Sequence, residues 1–371
     1  MLKIVADENM PHVEALFGEL GEVTLLPGRE MQPAQLSDAD VLLVRSVTRV
    51  NGDLLAQAKR LQFVGTATIG TDHVDQILLA ERGIAFNSAP GCNRISVGDY
   101  VLSALLVLAE RHGLTLAGMS LAVVGAGNTG SAVATRATAL GMRLLRCDPP
   151  RARREGATGF VTLDEALSAD VVSFHVPLTR TGEDATHHLL DATRIARLQP
   201  GQFLINASRG EVWDNQALLA RQRGDGPLHL VMDVWEHEPD LLHDLVPFVE
   251  IATPHIAGYS LEGKARGTWM LYHALCERLG RPARQDLTAL LPTPEVISLQ
   301  LGQEPDQAVI GRLVHLVYDV RRDDARFRRE LVQPGSFDRQ RKRYPERREL
   351  SALRLTGTTH PLLAELGFTL S

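Results

Sequence analysis

The stretch from Ser120 to Asp148 constrains the fold of this chain more than any other, because it carries every part of a nucleotide-binding βαβ unit in order. The apolar run Leu121–Val124 ends directly in GAGNTG, which sets Gly125, Gly127 and Gly130 in G-x-G-x-x-G spacing. The first glycine permits the tight turn, the second lets the backbone approach a pyrophosphate, and the third allows the helix to pack close to its strand. The helix N-terminus then offers unpaired N–H groups to phosphate oxygens, so Asn128 and Thr129 join the three glycines as expected cofactor contacts. Leu144, Leu145 and Cys147 form the next strand, closed by Asp148 eighteen residues after Gly130. A carboxylate there accepts hydrogen bonds from both ribose hydroxyls and repels a 2′-phosphate, which favours NAD over NADP. Arg151, Arg153 and Arg154, close by, pull the other way.

Short strands alternate with helices on both sides of this unit. Ahead of it come strands at Lys3–Ala6, Val41–Arg45 and Phe63–Thr66, with helices expected near His12–Leu20 and Asp53–Ala58. After it come strands at Val171–His175, Phe203–Asn206, Leu230–Asp233 and Ile251–Thr253. Such alternation predicts an α/β fold with parallel sheets. Two Rossmann-like, doubly wound domains are expected, at residues 1–95 and 96–257, with 258–283 returning to the first. The linker Leu291–Pro294 introduces a third, α+β segment, 284–371. Its Arg321–Arg348 stretch holds eleven Lys or Arg against five acids in a protein of net charge −6. A solvated or subunit-contact face is the plain reading of that stretch, and a contact with an anionic substrate is the alternative. Leu313, Val314, Leu316, Val317 and Val320 add an apolar helical stripe suited to packing or dimerisation.

Composition excludes several classes. The 371 residues suffice for two or three domains, and 44% hydrophobic with 23% charged content is that of a globular protein. The acidic balance argues against nucleic acid as the main partner. Cys92, Cys147 and Cys276 are odd in number and without C-x-x-C spacing, so neither a disulfide framework nor a zinc ribbon is indicated, and a reducing cytoplasm is expected. The longest apolar run, Tyr100–Ala109, is about half the roughly 20 residues a membrane span needs and reads as a buried helix. Met1–Val5 meets Asp7 and Glu8 directly and reads as a first strand, not a signal segment.

Ligands of parallel α/β sheets bind beyond the carboxyl ends of the strands, and three strand ends here are rich in chemistry. Ala207, Ser208, Arg209 and Gly210 follow one strand; Asp233 and Trp235–Pro239 follow the next; Pro254 to Tyr259 follow the last. Hydride transfer from an alcohol carbon to nicotinamide needs a base for the hydroxyl proton, and His255 is the candidate. Glu238 would fix its tautomer and stabilise the imidazolium, and the planar fork of Arg209 would hold a substrate carboxylate. Ser46 and Thr68 on first-domain loops are hydroxyl donors suited to an anion, with Arg45 adding charge. His237 between Glu236 and Glu238 lacks metal-ligand spacing, so no metal is expected.

The segments ASRG, DVWEHEP and TPHIAGYS resemble those of the D-isomer-specific 2-hydroxyacid dehydrogenases over residues 40–280. Further segments (DENMP, VRSVT, VGTATIGTDHVD, APGCN, LVHLVYDVRRDD) extend the resemblance to nearly the whole chain and narrow it to a member acting on a phosphorylated acid. The resemblance implies oxidation of a 2-hydroxy acid with NAD, by Arg209, Glu238 and His255, with His255 as general base. It implies substrate contacts from Ser46, Thr68 and Tyr259, and NAD contacts from Asp148, Ala207, Ser208, Arg209, Asp233 and Gly258. A homodimer built by the C-terminal segment is also implied. Val176 departs from the family pattern, which has a hydroxyl residue there, and leaves that cofactor contact to the backbone. A dehydrogenase of another hydroxy acid, such as glycerate or a phosphoglycerate, or an NAD-sensing binding protein on the same fold are the alternatives.

Overall fold

The structure, a computed structural model, describes residues 1–224 and 226–371. The chain divides into two compact units, Met1–Asn93 with Ser260–Thr293, and Arg94–Tyr259 with Pro294–Ser371.

The first unit is built on five parallel strands, β1 (Leu2–Asp7), β2 (Gly21–Leu26), β3 (Val41–Val44), β4 (Phe63–Thr66) and β5 (Ala85–Asn87), in the order β2-β1-β3-β4-β5. The central β3 (VLLV) and β4 (FVGT) are buried throughout, as strands covered on both faces must be. One cover is the helix Leu261–Arg278, whose Leu271, Tyr272, Leu275 and Cys276 pack with Ile4, Val41, Leu43 and Phe63. Ser260 caps it by accepting the Gly263 N–H at 2.9 Å. Gly65 in β4 makes room for this helix, since a Cβ there would sit 3.0 Å from Leu271. The outer strands β2 and β5, half exposed and mixed in polarity, escape the apolar-run reading of the sequence. At Asp53–Ala58, where a helix is expected, the chain instead makes successive turns that begin at Asn51, whose side chain accepts the Leu54 N–H. The Asn51 side chain competes for the N–H groups a helix would use, and Gly52 weakens helix formation further.

The second unit carries six parallel strands, β6 (Ser120–Val124), β7 (Arg143–Cys147), β8 (Val171–Phe174), β9 (Phe203–Asn206), β10 (His229–Met232) and β11 (Ile251–Ala252), in the order β11-β10-β9-β8-β6-β7. The chain steps outward from β6 to β7 and then crosses back to β8, so the order reverses beside β6. That reversal opens a crevice at the carboxyl ends of β6 and β8. The helix Arg94–His112 is buried from Ser96 to Ala109 and packs with the helix Asn128–Ala139 on one face, in agreement with the sequence reading of the Tyr100–Ala109 run. Trp213, Trp235 and Phe174 anchor the other face.

The C-terminal segment has a small parallel sheet of β12 (Ser298–Gln300), β13 (Arg354–Thr356) and β14 (Thr369–Leu370) with four helices of six or more residues, Gln307–Val317, Val320–Glu330, Ser336–Lys342 and Pro361–Leu366. Most of the apolar stripe read from the sequence is spent inside the chain: Leu313, Val314 and Val320 share a core with Leu105, Val107 and Leu121. Leu316, at 44% exposure, faces outward. Among the described residues, no helix is long and apolar enough to cross a membrane.

Candidate active site

Each glycine of the turn after β6 meets a different constraint. Gly125 has φ +92°, and a Cβ there would sit 2.7 Å from the His175 backbone; at Gly130 it would sit 2.0 Å from the Gly125 carbonyl oxygen. Gly127 is different, because a Cβ there would meet no atom within 4 Å. The space in front of Gly127 is open. Gly127 is also the N-cap of the helix Asn128–Ala139, makes no side-chain cap, and is followed by no acid in the first turn, which leaves the helix N–H groups for an anion. A cavity of about 680 Å³ opens here, lined by Gly127, Asn128, Asp148, Arg151 and Arg154 among others. Thr129, half-buried, completes the first turn.

Asp148 ends β7 and has local duties as well. Its two oxygens accept the backbone N–H of Ala126 (2.9 Å) and of Arg151 (3.0 Å), so it ties the glycine turn to the helix Pro149–Glu155. Each oxygen keeps a lone pair for a ribose hydroxyl. His175, just past β8, is buried with Nε2 on Ser173 Oγ at 2.8 Å, and burial pushes its pKa down to about 3. Val176 follows, half-buried, with its Cγ1 against Gly125.

The glycines predict a split in phenotype. Gly127→Ala should fold with an unchanged Tm and bind NAD about tenfold or more weakly, because the methyl occupies the phosphate's place. Gly130→Ala should lower Tm, because its methyl meets backbone that cannot yield. Thermal melts with and without NAD separate the two.

The three chemistry-rich loops lie side by side because β9, β10 and β11 are neighbours. After β9, Asn206 shapes the turn, its Oδ1 accepting from Ser208 N (3.1 Å) and Ser208 Oγ (2.7 Å) and its Nδ2 donating to the Arg209 carbonyl (3.1 Å). Ala207 is half-buried, and Arg209 folds one guanidinium N–H onto the Ser208 carbonyl at 2.8 Å. Gly210 lets this loop pass against the next, where its Cβ would fall 1.9 Å from the Trp235 carbonyl group.

After β11, His255 adopts a left-handed backbone, φ +56°, a conformation that costs about 1 kcal/mol or more for a residue with a side chain. Asp233 holds it there. The Asp233 carbonyl accepts the His255 N–H (2.6 Å), and its carboxylate accepts the N–H groups of Ile256 (2.7 Å) and Ala257 (2.9 Å) and the Thr253 hydroxyl (2.7 Å). Tyr100 extends this chain with a hydroxyl 2.8 Å from Thr253 Oγ1. Asp233 is thus a buried anchor of the His255 loop in addition to being an expected cofactor contact. Gly258 and Tyr259 follow, half-buried, with the Tyr259 ring edge-on to Tyr344 at 5.8 Å.

The imidazole of His255 meets Glu238 at 2.8 Å between Nδ1 and Oε2, with the two side chains 30% and 19% exposed. The other carboxylate oxygen accepts the Trp235 N–H at 2.8 Å. Burial alone would raise the Glu238 pKa, but the charge and hydrogen bond of His255, the Trp235 N–H and the nearby Arg341 guanidinium together hold it below the usual carboxylate range. An ionised Glu238 can only accept, so Nδ1 carries the proton and Nε2 is left to act as a base.

The remaining expected residues belong to the first unit. Arg45 and Ser46 follow β3 and Thr68 follows β4, its neighbour, so the three share one sheet end. Thr68 Oγ1 lies 2.7 Å from Thr66 Oγ1 and donates to the Gly70 carbonyl at 2.8 Å.

Three residues of the basic C-terminal stretch, for which an anionic-substrate contact is the alternative reading but no single residue is marked by the sequence, lie at the site: Arg341, 5.8 Å over the Tyr259 ring; Tyr344; and Arg347, which bonds the carbonyls of Ile256 and Ala257. In a tail with eleven basic residues, nothing local marks which are buried. At the opposite, amino end of the sheet, Glu250 gathers His112 and His229 within metal-sharing distance. Both imidazoles already bond its carboxylate and the Arg111 guanidinium stands 3.8 Å away, a charge that opposes a cation, so the group ties β10 and β11 to the helix Arg94–His112.

A glycine-rich dinucleotide turn, with a His–Glu pair and an arginine at the carboxyl ends of strands of the same sheet, suits an oxidoreductase that works on a hydroxy acid with NAD. Residues 104–257 match the family described as D-isomer specific 2-hydroxyacid dehydrogenase, NAD binding domain, and residues 290–367 match a domain of unknown function, DUF3410. The erythronate-4-phosphate dehydrogenase of Aeromonas salmonicida is 69% identical over 99% of both chains, and that of Tolumonas auensis is 59% identical over the full length of both. Among solved structures, the TT0316 protein of Thermus thermophilus is 29% identical with TM-score 0.64 over 76% of this chain and 98% of its own. D-Lactate dehydrogenase of Aquifex aeolicus, at 24% identity and TM-score 0.60 over 75% of this chain and 95% of its own, shares the fold. The chain belongs to the D-isomer specific 2-hydroxyacid dehydrogenases, and within them to the group of erythronate-4-phosphate dehydrogenases.

Proposed function

We propose that the protein oxidises 4-phospho-D-erythronate to 2-oxo-3-hydroxy-4-phosphobutanoate with NAD, a step toward pyridoxal 5′-phosphate. The observation that carries the reading is the His255–Glu238 pair at 2.8 Å on the loop next to Arg209. Arg209 would hold the substrate carboxylate through its planar fork and polarise the C2 oxygen. His255 Nε2 would take the C2 hydroxyl proton as the C2–H bond breaks, while Glu238 stabilises the imidazolium that forms. NAD, when bound, supplies the acceptor for the hydride leaving C2. Gly125, Gly127, Asn128, Thr129 and Gly130 would cradle its pyrophosphate, Asp148 its ribose, and Val176, Ala207, Ser208, Asp233 and Gly258 the remainder. Arg45, Ser46, Thr68 and Tyr259 would meet the substrate, with Arg45 suited to the phosphate.

We place the protein in the cytoplasm as a homodimer joined through its C-terminal segment. Its three cysteines are buried and form no disulfide with one another, as a reducing compartment allows. Ile297, Leu316 and Val332 leave apolar surface on that segment, at 58%, 44% and 86% exposure.

The test is NADH formation with 4-phosphoerythronate beside erythronate, glycerate and 3-phosphoglycerate, with a 2-oxo acid present to turn over retained NADH. Loss of a charge-paired phosphate should lower kcat/KM by about 10²-fold or more for erythronate. Equal or better turnover of another acid would keep the chemistry and discard the substrate.

A further inference from the structure

The C-terminal segment, which matches a domain of unknown function, is joined to the loop that carries His255. Residues 256 and 257 directly follow His255, whose backbone is left-handed. Their N–H groups are taken by the Asp233 carboxylate. Their carbonyls both meet one side chain from the far end of the sequence: Arg347 Nη1 donates to Ala257 O at 3.1 Å and to Ile256 O at 3.4 Å, the latter also accepting the Tyr259 N–H at 2.8 Å. The peptide between Ile256 and Ala257 therefore has its N–H on the Asp233 carboxylate and its carbonyl facing the Arg347 guanidinium, so it cannot rotate without breaking bonds on both sides. Arg347 is itself held, 5% exposed, with its guanidinium 3.5 Å over the Tyr318 ring and Nη2 on the Ser96 carbonyl.

The same segment grips the strand leading into the loop. The Asp324 carboxylate accepts the Ala252 N–H at 2.8 Å, and Arg328, paired with Asp324 at 2.9 Å, donates to the carbonyls of Val246 and Val249. Burying a guanidinium is unfavourable unless its donors are satisfied. Here Arg347 Nη1 is spent on the residues directly after the proposed base, where sub-ångström placement governs rate.

We propose that the C-terminal segment is a positioning element of the active centre, with Arg347 as the positioning residue that sets the His255 loop against Asp233. The proposal rests on the reading of His255 as the base. Misplacing that base by a fraction of an ångström lowers turnover more than NAD affinity, because the glycine turn and Asp148 stay in place and only Asp233 and Gly258 of the proposed cofactor contacts belong to or hold this loop.

The experiment uses the full-length chain with Arg347→Met and Arg347→Lys, measuring kcat, the KM values, Tm and NAD affinity by fluorescence titration. Arg347→Met is expected to lose about 10²-fold in kcat, with NAD affinity changed less than about threefold. Arg347→Lys, which keeps the cation and one donor direction, is expected to recover part of that loss, and it carries the test if Arg347→Met does not fold. Wild-type kcat in either folded variant overturns the proposal, as does a loss of NAD affinity that matches the loss of kcat. His255→Gln, run alongside, separates the two readings. If it is inactive while the Arg347 variants are fully active, only the positioning role is lost; if it is active, the base itself is wrong.

Discussion

Replacing His255 by Gln is expected to lower kcat for oxidation by about 10³-fold while NAD still binds, because glutamine fills much of the space of the imidazole and cannot accept the hydroxyl proton. Glu238→Gln should be milder, about 10- to 10²-fold, since it removes the stabilisation of the imidazolium and leaves the base present. The double variant should be scarcely worse than His255→Gln alone, because Glu238 acts through the imidazole. Steady-state kinetics decide the matter. Losses that multiply in the double variant would show that the pair does not work as a unit.

Gly210→Ala is expected to be the most damaging single methyl in the chain. Its Cβ would fall 1.9 Å from the Trp235 carbonyl carbon and oxygen and 2.5 Å from the Glu236 nitrogen, which are backbone atoms. No rotamer relieves such a contact, so one of the two loops must move. Trp235 is buried, with its indole N–H on the Thr253 carbonyl at 3.0 Å, and its own N–H on Glu238. We expect destabilisation of more than about 3 kcal/mol, or failure to fold, as for severe overpacking. Any folded fraction should have lost activity as well, because the displaced loops carry Arg209 and Glu238. A variant with wild-type Tm and turnover would mean that these loops are far more compliant than the structure describes.

The legible part of the molecule was the part specified locally. The glycine turn, the acid closing β7 and the residues just beyond β9, β10 and β11 lie next to the strand that presents them, so short segments disclosed them. The duties of Asp233 and Asp148 as internal hydrogen-bond acceptors were hidden, because a carboxylate suited to a cofactor and one that anchors a turn look alike in sequence. Strands β2 and β5 escaped because edge strands need not be uniformly apolar. Arg341, Tyr344, Asp324 and Arg347 were the least accessible. Each owes its place to packing against residues about 70 to 250 positions away, and their surroundings, not their type, decide that Asp324 and Arg347 are buried and Arg341 and Tyr344 half-buried.

The grip of Asp324 on Ala252 has a consequence for the chain's behaviour in a crowd of its own copies. β11 is the terminal strand of its sheet, and its outward N–H groups would otherwise be a template for a strand from another molecule. The Asp324 carboxylate occupies one of these donors, and the helix Val320–Glu330 lies along the strand. A shortened enzyme ending near Thr293 would present that edge bare, and its failure would be seen first as aggregation.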